Sequence, residues 1–77
     1  MSSREFYVEP ERAGSWVVKN NGFAISRGSH PEAVETARRL AFSEWRNVKV
    51  PSQVHVCRPD GQFRTDWVFG QVAPRYP

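Results

Sequence analysis

The chain has 77 residues, 39% of them hydrophobic, 25% charged and 13% aromatic, with a formal charge of +3. This excludes two domains of ordinary size, a low-complexity polymer, and a membrane helix, which needs about 18 successive apolar residues. One cysteine, Cys57, excludes an intramolecular disulfide and makes a reducing, cytoplasmic location the expectation.

A domain of this size buries only about 60% of the surface its unfolded chain exposes, so the core must be thin. The start, Met1-Ser2-Ser3-Arg4-Glu5, leads into no apolar leader, and none is expected. The sequence pI near 9.6 raises the question of polyanion binding. Its eleven Lys and Arg residues are interleaved with eight carboxylates along the whole chain, the pattern of a solvated surface rather than a basic footprint.

Phe6 and Val8 alternate with Glu5, Tyr7 and Glu9 in a first strand, which Pro10 stops because proline cannot donate to a ladder. Ser15 to Lys19 and Phe23 to Arg27 read as the next two strands, joined at Asn20-Asn21-Gly22, whose residues tolerate the positive φ of a tight hairpin. Ser29-His30-Pro31-Glu32 then opens the one helix. Serine can accept the backbone N–H of Glu32 while the glutamate reaches back, and Pro31 in the first turn loses no hydrogen bond. Ala33, Val34, Ala37, Leu40, Ala41 and Trp45 form an apolar stripe about 140° wide, and its three alanines allow a close approach to a sheet. The helix should end near Arg46-Asn47, before Val50-Pro51. Gln53 to Cys57 alternates as a fourth strand, Pro59-Asp60-Gly61 makes a turn, and Gln62 to Phe69 forms a fifth strand. The expected fold is α+β: one domain over residues 1–77 with its core at about 5–70. It is an antiparallel sheet of four or five strands in the order β-β-β-α-β-β, with one helix on one face and a frayed tail at 71–77.

These elements resemble a small bacterial family known as domain of unknown function two-one-eight-eight. The residues that carry the likeness are Val8-Glu9-Pro10, Gly14-Ser15-Trp16-Val17-Val18-Lys19, the alanine-bearing helix from Ser29 to Ala41, and Val54-His55-Val56 leading to Asp60-Gly61. The likeness covers about residues 5 to 70. It implies the same fold and brings no activity with it.

Candidate chemistry is sparse. His55 and Cys57 share a strand face about 7 Å apart. A nucleophile needs a base within hydrogen-bond reach and a third group to orient that base, and neither is visible there. His30, His55 and Cys57 form no zinc motif, so no metal and no cofactor is expected. Asp60, Asp66, Glu5, Glu9 and Glu11 fall in turns and at strand ends, the setting of ordinary solvated carboxylates. The isolated turn glycines Gly22, Gly28 and Gly61 build no phosphate loop.

Two surfaces remain. Phe42 lies off the core stripe between Arg38 and Arg46, and could instead be covered by Val72 or Tyr76 of the tail. On the sheet, parity turns Phe6, Val8, Trp16, Val18, Phe23, Ile25, Val54, Val56 and Phe63 toward the helix. Tyr7, Val17, Lys19, Ala24, Ser26, His55, Cys57 and Arg64 then face away. Trp67 and Phe69 are surplus aromatics suited to a two-fold interface. The favoured function is therefore a non-catalytic interaction module that self-associates or binds another protein, through Arg38, Phe42, Arg46, Trp67 and Phe69, with no membrane partner. The alternative is weak, sequence-tolerant nucleic-acid binding through Lys19, Arg38, Arg39, Arg46 and Arg64, with Tyr7 or Phe42 as a stacking platform.

Overall fold

The computed structural model describes residues 3–70. The five strands are β1 (Arg4–Pro10), β2 (Trp16–Asn20), β3 (Phe23–Gly28), β4 (Ser52–Cys57) and β5 (Phe63–Phe69), and the helix α1 (His30–Ser43) stands between β3 and β4. They form one sheet in the order β3-β2-β1-β4-β5. The architecture is the expected α+β one, with one difference: the β1–β4 ladder is parallel, while the other three are antiparallel. The reason is directional. Two hairpins bring β3 back to the direction of β1, and the helix then returns the chain so that β4 starts beside the start of β1. The expected tail contacts of Val72 and Tyr76 lie outside the described residues.

The local signals act as their chemistry requires. Asn21 and Gly22 both take positive φ, 56° and 83°, as a two-residue hairpin turn of the inverted type demands. The Glu32 N–H donates to Ser29 Oγ at 3.3 Å, and the Ser29 N–H donates to Glu32 Oε1 at 3.0 Å, closing the capping box. Beyond Ser43 the helix widens into a single π turn over Glu44–Val48 and stops at Lys49 in the left-handed region.

Ala33, Ala37 and Ala41 are the buried residues of α1 and lie against Phe6, Val8, Val18, Val54 and Val56. Val34 and Trp45 are half-buried and Leu40 is exposed, so the close-packed seam is the alanine row alone. Small residues bring the helix axis near the sheet, and the larger members of the stripe end at its margins.

Two irregularities change which way side chains point. The β2–β3 register shifts between Val18 and Lys19, and the β4–β5 register shifts between Val54 and His55. Each bulge inserts a residue and inverts the parity beyond it. Ser26 stands opposite Val18 and Arg64 opposite Val56, so both are on the helix side, contrary to simple alternation. Phe63 stands opposite Cys57 and faces away from the helix. Trp67 and Phe69, beyond the bulge, do face the helix and pack against the core, half-buried.

Candidate functional site on the uncovered sheet face

The face away from α1 is a grid that the ladders define. Glu5 and Gln53 stand side by side in the first row, Lys19, Tyr7, His55 and Thr65 in the second, and Arg27, Val17, Glu9, Cys57 and Phe63 in the third. Its two halves differ in chemistry.

Toward β3 the face is closed by ion pairs. Lys19 meets Glu9 at 3.3 Å, and Arg27 meets Glu11 at 2.8 Å. Val17 lies between Glu9 and Arg27 in the ladders and is 0% exposed although no helix covers it. Long charged side chains can bury a neighbour of this kind under their aliphatic stems. The Arg27 guanidinium holds the Glu11 carboxyl below the usual carboxylate range. These two pairs and Glu5 use the acidic cluster of the first turn one residue at a time, leaving no paired carboxylates for acid–base work.

Toward β5 the face is aromatic and hydrogen-bonded. The Tyr7 ring lies 4.8 Å from the His55 ring and meets Phe63 edge-on at 5.2 Å. Beneath it, His55 Nε2 is 2.6 Å from Glu5 Oε1 and His55 Nδ1 is 2.8 Å from Thr65 Oγ1. Ser3 Oγ donates to the other Glu5 oxygen at 2.8 Å. The His55 bond, and then the Ser3 bond, hold the Glu5 carboxyl below its ordinary range. Glu5 is thus a carboxylate at neutral pH and can only accept, which puts the histidine proton on Nε2. With Nε2 carrying the proton, Nδ1 of a neutral ring accepts from the Thr65 hydroxyl at 2.8 Å.

That relay was not legible in the sequence, because two unforeseen features assemble it. The parallel β1–β4 ladder places Tyr7 beside His55 and so brings Glu5 to the histidine's diagonal. The bulge puts Thr65, rather than Asp66, across from His55. Asp66 pairs instead with Arg64 at 3.3 Å. Cys57, the partner considered for His55, directs its thiol at the Arg58 carbonyl.

Glu5→Gln tests the carboxylate. A folded-state pKa below the ordinary 4.5 means stability that is present above that value and is lost as pH falls through the folded value. Glu5→Gln is expected to cost about 0.5 kcal/mol at neutral pH, a figure discounted for the exposure of the carboxylate. The difference from the parent should vanish in acid. Urea denaturation at pH 7 and pH 3 checks this, and an equal deficit at both values would show that the loss is steric.

The other expected site residues are dispersed. Arg38 is engaged with Glu35 one turn away. Arg39 and Arg46 are exposed on the helical side of the molecule. Arg64 is on the helix side of β5, whereas Lys19 is on the opposite face. The proposed nucleic-acid contacts therefore occupy two sides of the sheet, and Tyr7 is separated from every arginine of the helix. Phe42 is 42% exposed and meets the Phe69 ring at 5.5 Å. His30 packs edge-on to Trp16 at 4.5 Å on the helix side, so the sheet divides it from His55 and Cys57. Among the described residues no three His, Cys, Asp or Glu side chains gather as metal ligands, and no helix is long and apolar enough to cross a membrane.

No family model matches the chain, and no significant similarity to a curated protein or to a solved structure was found.

Proposed function

We infer that the chain is a small non-catalytic interaction module that self-associates through the sheet face α1 leaves uncovered. The observation that carries this reading is the pair Tyr7 and Phe63, 36% and 44% exposed, locked edge-to-face on that side. Aromatic side chains held rigid before contact lose little conformational entropy on binding.

Charge favours a second copy over a polyanion. This face carries three carboxylates, Glu5, Glu9 and Glu11, against two cations, Lys19 and Arg27, a formal charge of −1. Two identical faces of so small a charge can meet with little like-charge repulsion, whereas a phosphate backbone requires a basic surface. Edge-to-edge pairing is the weaker route. Both outer strands, β3 and β5, carry a bulge, and bulged edges make poor templates for strand addition.

Trp67 and Phe69 are half-buried. They pack against the core, so alanine there reports on folding before it reports on association.

Sedimentation over a concentration series, at low and high salt, provides the test. A reversible dimer that tolerates salt and is weakened at least tenfold by Phe63→Lys is the expected result, since a central aromatic contact is worth about 2 kcal/mol. A monomer at every concentration would refute the reading. Salt-sensitive binding of DNA that is lost in Arg39→Ala or Arg46→Ala would move nucleic acid to first place.

A further inference from the structure

Glu5, His55 and Thr65 come from three neighbouring strands of the sheet, and their arrangement goes beyond what an interaction surface needs. A hydroxyl lies 2.8 Å from one imidazole nitrogen, and a carboxylate lies 2.6 Å from the other. That is the geometry of an activated nucleophile: attacking atom, base in hydrogen-bond reach, and a third group that fixes the tautomer of the base. The His55 side chain is only 13% exposed, with the Tyr7 ring beside it, so its orientation is held. Thr65, by contrast, is exposed on the outermost strand. The base is sheltered, and the residue that bears the hydroxyl is exposed.

We propose that Thr65 is an acyl-acceptor site, whose hydroxyl, activated by His55 and Glu5, takes the acyl group of a small activated ester. In that step Thr65 Oγ forms a bond to the acyl carbon and the bond from that carbon to the leaving oxygen breaks. The hydroxyl proton passes to His55 Nδ1 and from there to the departing group. No oxidant or further reactant is needed. The outcome is a modified threonine, not turnover. Open hollows on the surface are lined by Ser3, Glu5, Tyr7 and the Asn20–Gly22 turn, and by Phe6, Ile25 and Leu40 between sheet and helix. Neither hollow is lined by Thr65.

The groups around His55 are few. Glu5 and Tyr7 face it from β1, Thr65 from β5, and Cys57 follows two residues on along its own strand. Lys19 lies beyond Tyr7 on β2, paired with Glu9.

The probe is p-nitrophenyl acetate, applied to the intact chain at dilution sufficient to keep it monomeric, with the adduct located by peptide mass mapping. One acetyl group on Thr65 is expected, with His55→Gln slowing its formation about a hundredfold, the usual size of general-base assistance. Thr65→Ser, a less hindered alcohol, should retain the adduct, and Cys57→Ser should leave the rate unchanged. Amide spectra of each variant distinguish loss of chemistry from loss of fold. Acetylation confined to lysines or Cys57, or a Thr65 rate unaltered in a folded His55→Gln, would overturn the proposal. Because the measurement is made on the monomer, it stands or falls independently of self-association.

Discussion

Replacing Ala37 by leucine is expected to remove about 1–3 kcal/mol of stability, and more if the helix is displaced from the sheet. Ala37 is 0% exposed at the centre of the row Ala33, Ala37, Ala41, the only residues of α1 that are fully inside. Opposite it the sheet offers Phe6, Val8, Val18, Val54 and Val56, all buried. A leucine has nowhere to go except by pushing the helix outward, and this would also undo the neighbouring alanine contacts. In a domain whose total stability is on the order of 5 kcal/mol, such a loss is a large fraction of the whole. Arg39→Leu places the same side chain two residues along on the exposed side and should change stability by no more than about 0.5 kcal/mol. Chemical denaturation of both variants decides the matter, and equal midpoints would mean that the seam is looser than its burial implies.

The contrast between that seam and the candidate site shows which parts of a structure a sequence displays. Local chemistry is legible: Ser29 and Glu32 announce a helix start, Asn21-Gly22 a hairpin, and an alanine row a close helix–sheet approach, because each depends on residues a few positions apart. Strand order and register are set by contacts far apart in sequence. The parallel ladder between β1 and β4 joins Tyr7 to His55 across 48 residues of chain, and no short motif encodes it. The bulges are harder still, since one extra residue reverses the facing of everything beyond it. Phe63 and Arg64 therefore exchange sides relative to simple alternation, and with them the aromatic patch moves to the uncovered face. The surplus of aromatics in the last strand was visible, but its division between core and surface depended on the bulge near Asp66.

Gly70→Ala is the second substitution with a large expected cost, about 2–4 kcal/mol, from two independent causes. Gly70 has φ +74°, a conformation in which a Cβ costs about 1–2 kcal/mol. The same Cβ would also collide with the Trp45 ring, so the indole in the π turn would have to move. That indole lies beside Gly70, which follows Phe69, whose ring meets Phe42, and Lys49 Nζ stands 5.6 Å from the indole's centre. Displacing it would loosen the end of β5 while leaving Tyr7, His55 and Phe63 in place on the other face. A double-mutant cycle separates the causes. In a Trp45→Ala background the increment from Gly70→Ala should fall to the backbone part alone, about 1–2 kcal/mol. An increment that is the same in both backgrounds would show that the indole is no obstacle and that φ accounts for the whole effect. Retained self-association in folded Gly70→Ala, set against its loss in Phe63→Lys, would further assign the contact to the uncovered face rather than to the aromatic end of the helix layer.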